Sequence, residues 1–365
     1  MDYAKRRHKL QRQLKRKKLD ALLISQPHNR RYLTGYSASD HDISETSGLV
    51  LIPASGTALL LTDFRYELQA RHETDMEVVL YTKGLLPLLD TLVSELKIRS
   101  LGFESGYTLH STWTKIAALA AKKNITLKPT SGLVEKMRLI KSDAEIELMR
   151  KSVRLNEAVF EDIFPTISAG MTEQEIARSL ENKMYQAGAE SPSFETIVVS
   201  GANGALPHGR PSEARVVEGK PVTIDMGLVL SGYCSDMTRN FVVGEPDRHY
   251  LTVHRLVRKA QKAGMAAVRN GATAAEVDRA ARKIIGDAGY GKNFGHSLGH
   301  GVGLAVHEDP RVSGQSRRKL KTGMVITIEP GIYIPGWGGV RLENMVVVTE
   351  DGCENLNTDN TWLDL

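Results

Sequence analysis

Five residues with side chains able to bind metal ions are spread over the second half of this chain of 365 residues. They are four carboxylates and one imidazole: Asp225, Asp236, His300, Glu329 and Glu343. Each lies in a short stretch rich in glycine and β-branched residues, where an ionised carboxylate is costly unless it is paired or binds a metal. We therefore predict that these side chains surround divalent cations. Such ions can generate hydroxide from water at neutral pH and direct it at a carbonyl group.

The two aspartates lie on neighbouring predicted strands. Residues 222–226 alternate polar and apolar side chains, so Asp225 and Ile224 lie on opposite faces, while residues 235–241 put Asp236 and Thr238 on one face. Two aspartates that face each other across a hairpin repel, which raises one pKa unless a cation neutralises them. Two exposed turn aspartates are the alternative, and the apolar residues around them disfavour it.

Three histidines, His296, His300 and His307, follow one another closely, and four glycines lie between residues 295 and 303. A lone histidine is more often a packed core residue than a ligand. A cluster in a segment of such small residues favours a site, because glycine allows close approach to a ligand.

The remaining two carboxylates lie on a second pair of predicted strands. Glu329 ends a strongly apolar strand just before a proline, which ends the strand ladder. After a tight turn, Arg341 and Glu343 share one strand face. A simple salt bridge between these two residues is the alternative interpretation.

The chain divides into two predicted domains. Residues 1–130 alternate helical and strand patterns, which predicts an α/β domain. Residues 131–141 form a linker, and residues 142–365 form a second domain that opens with a capping box of Ser142 and Glu145.

The second domain contains a faint internal duplication. Segment 170–177 resembles segment 271–278, and each starts a helix with a capping box, Thr172 with Glu175 and Thr273 with Glu276. Each helix ends at a glycine and is followed by a histidine-bearing region and then by two strands with one carboxylate each. Two packed copies related by a pseudo-twofold axis would bring the four carboxylates to a central seam.

The composition, 41% hydrophobic and 25% charged, is typical of a soluble globular protein. No apolar run approaches the ~20 residues that span a bilayer, and the charged N-terminus lacks the apolar segment of a secretory signal. Two cysteines are too few for a disulfide-built secreted domain. We therefore expect a cytoplasmic protein without a membrane partner.

The net charge of +5 is concentrated at the N-terminus, where a nucleic-acid patch is one interpretation. No aromatic stacking residues are interleaved there. The stretch also fits a helix with Tyr3, Leu10 and Leu14 on its inner face, so we favour a solvated helix and no nucleic-acid partner.

The residues from Glu145 to the C-terminus resemble the pita-bread metallopeptidases, the family of aminopeptidase P, prolidase and methionine aminopeptidase. The similarity is closest to the short bacterial Xaa-Pro aminopeptidases. Six motifs carry it: LPHGRPS at 206–212, DMG at 225–227, SDMTR at 235–239, GHGVG at 299–303, IEPG at 328–331 and VRLE at 340–343. RYLTGY at 31–36 and TDFRY at 62–66 resemble the creatinase/prolidase N-terminal domain. The resemblance implies an α+β pita-bread domain with an internal pseudo-twofold duplication.

The resemblance also implies a role for each predicted ligand. Asp225 and Asp236 would hold one metal ion, with Asp236 bridging to a second. His300 and Glu329 would complete the second site, and Glu343 would bridge. A hydroxide between the two ions would attack the peptide carbonyl, and Glu329 would transfer its proton. This hard ligand set favours two Mn²⁺ ions, while Co²⁺, Zn²⁺ or Fe²⁺ could substitute.

Four further residues acquire roles through the same resemblance. His208 and His307 match positions that steady the tetrahedral intermediate and the substrate amide, so that His208, His307 and Glu329 form the catalytic set. His296 matches a histidine near the proline pocket. Arg341 would hold the bridging carboxylates in place.

The function implied first is an aminopeptidase that hydrolyses the Xaa-Pro bond at peptide N-termini. Proline needs a dedicated pocket, because its amide has no N–H and its φ is fixed. An Xaa-Pro dipeptidase (prolidase) is the alternative, followed by a methionine aminopeptidase. A creatinase-type amidinohydrolase and a non-catalytic binding protein are disfavoured, because all five ligand positions are intact. The family is often dimeric, so we expect a homodimer.

Overall fold

The computed structural model describes residues 1–40 and 42–358. It divides into two compact units, Met1–Arg138 and the residues from Leu139 onward. The division falls within the predicted linker 131–141, part of which forms a one-turn helix, Glu135–Arg138. The last residues of the predicted second domain, 359–365, lie outside the described residues. No helix formed by the described residues is long and apolar enough to cross a bilayer.

The first unit is an α/β domain, as predicted. In chain order its elements are α1 (Tyr3–Arg16), β1 (Ala21–Ile24), α2 (Pro27–Thr34), β2 (Leu49–Pro53), β3 (Leu59–Thr62), α3 (Glu67–Glu73), β4 (Glu77–Leu80), α4 (Leu85–Glu95), β5 (Ser100–Glu104), α5 (His110–Lys122), β6 (Thr126–Thr130) and α6 (Glu135–Arg138). The six strands form one mixed sheet in the order β4-β3-β2-β1-β5-β6. Strands β1 and β2 are buried along their whole length, because helices cover both faces of such a sheet.

The basic N-terminal stretch forms α1, whose buried residues are Arg7, Leu10 and Leu14. Arg7 donates to the Leu33 carbonyl at 2.9 Å and pairs with Asp75 at 2.6 Å. The prediction of a helix with Leu10 and Leu14 on its inner face is confirmed, whereas Tyr3 is only half-buried and the basic Arg7 is buried rather than solvated.

The second unit is the part of the chain whose sequence motifs resemble a pita-bread domain. Its elements are α7 (Asp143–Ile163), α8 (Glu173–Gln186), β7 (Ser191–Pro192), β8 (Ile197–Ser200), β9 (Pro221–Met226), β10 (Leu228–Leu230), β11 (Tyr233–Cys234), β12 (Met237–Val242), α9 (Arg248–Ala267), α10 (Ala274–Asp287), β13 (Gly299–Gly301), β14 (Glu308–Val312), β15 (Val325–Ile328), β16 (Gly331–Ile334), β17 (Gly338–Arg341), β18 (Asn344–Val348) and β19 (Cys353–Asn355).

The predicted duplication is visible in the order of these elements. Strands β12-β9-β8 form one sheet, and β18-β15-β13 occupy the matching places in the other. Helices α8 and α10 both begin with capping boxes. Thr172 and Thr273, the N-cap residues, each form an isolated bridge, to Arg215 and Lys319 respectively. Each half has its own apolar core beneath its sheet.

The connection between the carboxylate-bearing strands differs from the predicted simple hairpin. In the first half, β10 and β11 pair with each other and belong to a different sheet from β9 and β12. In the second half, β16 and β17 lie between β15 and β18 in the chain but form a separate two-stranded sheet. The prediction that Arg341 and Glu343 share one strand face is therefore wrong, because Arg341 ends β17 and Glu343 precedes β18. The alternation of residue types located the strands but not this detour, because a short hairpin that leaves a sheet has the same local pattern as one that stays in it.

Candidate metal centre

The four predicted carboxylates lie at the ends of the central strands of the two halves. Asp225 belongs to β9, and Asp236 immediately precedes β12. Glu329 immediately follows β15, and Glu343 immediately precedes β18. The register pairs Ile328 with Asn344 in antiparallel strands, so the same register sets Glu329 opposite Glu343.

The period of two along each strand explains why charged groups share these strands with apolar ones. Val222 and Ile224 of β9 are completely buried in the core of the first half. Thr223 and Asp225 lie on the other face, where Asn240 of β12 donates to the Thr223 hydroxyl at 2.7 Å. The predicted faces of these two strands are confirmed.

Asp236, His300 and Glu343 each offer one ligand atom within 4.8 Å of the others. His300 Nε2 also lies 3.5 Å from Asp236 Oδ2 and 3.4 Å from Glu329 Oε1. The structure therefore brings four of the five predicted ligands into direct proximity. Asp225 is linked to this group by hydrogen bonds, because Arg341 donates to both Asp225 and Thr238, and Thr238 donates to Glu343.

Burial and crowding perturb the acids of this cluster. Burial, followed by repulsion from Asp225, raises the pKa of Asp236 well above its usual value. Burial and repulsion from Asp236 do the same to the pKa of Glu343. Burial raises the pKa of Glu329 to about 8. Such crowding is relieved when a cation lies among the carboxylates.

His300 presents a lone pair to the cluster. Its Nδ1 lies 3.1 Å from the Gly301 carbonyl oxygen, which only accepts, so Nδ1 carries the proton. Burial lowers the pKa of His300 to about 4, so the ring is neutral at neutral pH. Nε2 is then an acceptor that faces the carboxylates of Asp236 and Glu329, an arrangement suited to a metal ligand.

Two buried carboxylate oxygens provide a test of whether the residues fit a metal. Asp225 Oδ1 and Glu343 Oε1 are buried without a hydrogen-bond partner. The other oxygen of each is held: Arg341 donates to Asp225 Oδ2 at 2.6 Å, and Thr238 donates to Glu343 Oε2 at 2.8 Å. Buried acceptors are rarely left unsatisfied, so these two oxygens fit cation ligands.

Arg341 organises the cluster from its buried position. It donates to Asp225 Oδ2, to the Tyr333 hydroxyl at 2.9 Å and to the Thr238 hydroxyl at 3.1 Å. Arg341 therefore forms its salt bridge with Asp225 and not with Glu343, which was the alternative interpretation. Arg341 contacts Glu343 only indirectly, through Thr238. The prediction that Arg341 holds the bridging carboxylates Asp236 and Glu343 is therefore wrong about its direct partner.

The three remaining histidines lie beside the cluster. His300 and His307 make an edge-to-face contact with ring centroids 4.4 Å apart. The pKa values of His296 and His307 are lowered, mainly by burial and further by the charge of His208. Arg341 donates to the carbonyl of Pro207, the residue before His208, at 3.1 Å, so His208 lies on a segment that contacts the centre.

Sequence reasoning gave no role to three hydroxyl groups, of which two hold predicted ligands and one contacts His296. Thr238 holds Glu343, Thr327 donates to Glu329 Oε1 at 3.1 Å, and the Tyr333 hydroxyl lies 2.9 Å from His296 Nε2. Thr238 and Thr327 each lie two residues from a ligand on the same strand. The period of two was the signal that could have identified both threonines.

Comparisons with known proteins agree with this geometry. Residues 147–350 match the model of metallopeptidase family M24, and residues 6–140 match the creatinase/prolidase N-terminal domain. The chain is 39% identical over 340 residues to an Xaa-Pro dipeptidase from Pyrococcus horikoshii, covering 93% of this chain and 92% of that one. The chain belongs to metallopeptidase family M24.

Solved structures of M24 relatives share the fold over nearly the whole chain. An Xaa-Pro dipeptidase from Bacillus anthracis is 38% identical with a TM-score of 0.91, and 98% of each chain is covered. An X-Pro aminopeptidase from Thermotoga maritima is 37% identical with a TM-score of 0.87, covering 94% of this chain and 96% of that one. The predicted family and the two-domain pita-bread fold are confirmed. M24 metallopeptidases bind two divalent metal ions, which accords with the half-satisfied carboxylates described above.

Proposed function

We propose that this M24 metallopeptidase is an Xaa-Pro dipeptidase, which hydrolyses dipeptides whose second residue is proline. The support is that relatives matching more than nine tenths of the chain at 38–39% identity carry that name. The order of the two candidate functions is thereby reversed from the one that the sequence motifs favoured.

Five residues would hold the metals: Asp225, Asp236, His300, Glu329 and Glu343. Two divalent ions bound there supply a Lewis acid for the peptide carbonyl and lower the pKa of water. Oxygen donors predominate among the ligands, which favours Mn²⁺ as the native ion.

The carboxylate of Glu329 would move the proton during hydrolysis. It takes one proton from the attacking water as the new carbon–oxygen bond forms, and returns it to the proline nitrogen as the carbon–nitrogen bond breaks. Thr327 donates to Glu329 Oε1, which orients the carboxylate for both transfers.

The histidines would bind the substrate around this centre. His208 and His307 are exposed, so their rings are available to donate hydrogen bonds to the carbonyl oxygen of a peptide and to the oxygen of the tetrahedral intermediate. His296 is held on both sides, with Nδ1 2.7 Å from the Ser297 carbonyl and Nε2 2.9 Å from the Tyr333 hydroxyl. A ring fixed in this way suits the wall of a proline pocket.

An Xaa-Pro aminopeptidase is the second candidate, favoured by the Thermotoga maritima relative of that name. The two activities differ in whether the site closes around a dipeptide or leaves the far end of a longer peptide open.

The experiment compares an Xaa-Pro dipeptide with an Xaa-Pro-Xaa tripeptide, using purified protein supplied with Mn²⁺. A dipeptidase should show kcat/KM at least about tenfold higher on the dipeptide, which corresponds to about 1.4 kcal/mol. Equal or higher kcat/KM on the tripeptide would instead support the aminopeptidase.

Ligand variants test the metal centre in the same assay. Asp236→Asn and Glu343→Gln should each lower kcat/KM by at least about 100-fold, and a chelator should abolish activity. Asp287→Asn is a matched control, because Asp287 is exposed on α10 and pairs only with the nearby Lys283 among the ion pairs of the described residues. Full activity in both ligand variants would show that the five residues do not form the metal centre.

The cytoplasmic location, the homodimer and the lack of nucleic-acid or membrane partners stay predictions of the sequence.

A further inference from the structure

A buried carboxylate lies outside the metal ligand set, at the first residue of α8. Glu173 has 0% exposure. Its Oε1 accepts hydrogen bonds from the Ser200 amide at 2.7 Å and the Ser200 hydroxyl at 3.2 Å. Its Oε2 accepts from the Ser212 amide at 3.0 Å and the Ser212 hydroxyl at 2.7 Å. Asn203 donates to both oxygens.

These donors lie at the two ends of one loop. Ser200 ends β8, and Ser212 follows the segment that carries His208. We call residues 201–211 the histidine loop. One carboxylate therefore ties the start of the histidine loop to its end.

The histidine loop is also fixed close to the metal centre. Arg341, which holds Asp225, donates to the Pro207 carbonyl at 3.1 Å. Gly204 packs so closely on Gly339 of β17 that a Cβ on Gly339 would lie 2.1 Å from the Gly204 carbonyl oxygen. The loop thus has little room to move once its ends are held.

The duplication shows that the helix does not need this carboxylate in order to form. Thr172 and Thr273 are equivalent N-caps, so Ala274 takes the place of Glu173 in the second half. Helix α10 keeps its capping box without an acid there. Glu173 is therefore one of the features that distinguish the first half from the second, and the histidine loop is another.

We propose that Glu173 is a positioning residue that holds the histidine loop so that His208 reaches the substrate carbonyl. This inference rests on the proposed function, because it assigns His208 to the peptidase reaction. A carboxylate suits this place because it only accepts hydrogen bonds, and five donor atoms of Ser200, Asn203 and Ser212 surround its two oxygens. A shift of about 1 Å in a catalytic group lowers the rate by about 100-fold.

The test compares Glu173→Gln with Glu175→Gln. Both acids lie in the first turn of α8, but Glu175 is exposed, and among the described residues its carboxylate accepts a hydrogen bond from Thr172 alone, in the capping box. Glu173→Gln should lower kcat by about 10- to 100-fold with a smaller change in KM and unchanged Mn²⁺ affinity by calorimetry. Glu175→Gln should leave all three quantities near wild type.

A double-mutant cycle decides whether Glu173 acts through His208. In a His208→Ala background, Glu173→Gln should lower kcat less than about twofold, because the residue that it positions is already gone. If Glu173→Gln lowers kcat by the same factor in the wild-type and His208→Ala backgrounds, the proposal is overturned.

Hydrogen exchange gives a readout that does not depend on activity. Amides of the histidine loop should exchange at least about tenfold faster in Glu173→Gln than in wild type or Glu175→Gln, with other segments unchanged. If Glu173→Gln does not fold, Ser212→Ala removes one donor, keeps the carboxylate and should show the same local change. Unchanged exchange in the loop would overturn the proposal. A wild-type protein that cleaves no Xaa-Pro substrate would overturn the proposed function, and the exchange result would still decide whether Glu173 holds the loop.

Discussion

Chelating the metal ions should make the free energy of unfolding fall as the pH rises, because the crowded carboxylates then lose their counter-charge. Burial raises the pKa of Glu329 from 4.5 to about 8 in the folded chain, and the charge of Asp225 adds to the increase. A group with a raised folded pKa contributes its full stability below the unfolded pKa. That contribution is lost as the pH rises through the folded value. The loss should therefore occur between about pH 4.5 and pH 8.

The pKa of Glu329 sets the size of the effect. A change from 4.5 to about 8 corresponds to about 5 kcal/mol once both values are passed. For a unit of this size, about 2–4 °C of Tm accompanies each kcal/mol. The chelated protein should thus lose about 10–20 °C in Tm across this range.

The assay is thermal unfolding from about pH 5 to about pH 9, with chelator or with excess Mn²⁺. Glu329→Gln is the matched variant, since it cannot ionise, and its Tm in chelator should fall much less with pH. Bound ions stabilise the ionised carboxylates by mass action, so the increase in Tm on adding Mn²⁺ to wild type should grow with pH. Parallel Tm profiles of chelated wild type and Glu329→Gln would refute the reasoning.

Three further substitutions test the surroundings of the centre. Arg341→Met should lower the free energy of unfolding by about 3–5 kcal/mol, because it leaves the buried Asp225 without its cation; a loss below about 1 kcal/mol in urea titrations would contradict this. Lys141→Met should lower the free energy of unfolding by about 3 kcal/mol, because Lys141 lies 3.3 Å from Glu308 and the two side chains are only 2% and 7% exposed. Adding Glu308→Gln should recover part of this loss, and a further loss would contradict the prediction. Tyr333→Phe removes the hydroxyl between Arg341 and His296, so it should cost about 1–3 kcal/mol in urea titrations and raise KM, whereas unchanged values of both would show that the hydroxyl is not needed.

Much of the centre could be predicted because its signals are local. Asp225 and Asp236 stand out as charges in apolar strands, and the period of two puts each on a known face. The capping boxes at Thr172 and Thr273 mark the duplicated helices by residue type alone.

The partners of each side chain could not be predicted, because they depend on how strands from different sheets cross. Arg341 and Glu343 are neighbours in sequence, yet Arg341 pairs with Asp225 of the other half. Arg341 ends β17, which belongs to the separate two-stranded sheet, whereas Glu343 precedes β18 of the larger sheet. Local periodicity contains no information about such crossings.

By itself, the sequence determined which residues could bind metal, which elements carry them and which family the chain resembles. Residue types and their spacing depend only on neighbours along the chain. Only the tertiary structure decided which oxygen of Asp225 and Glu343 is left for a cation, and that Glu173 ties both ends of the histidine loop. Both outcomes depend on donors far apart in sequence, which meet only after the two halves of the second unit have packed together.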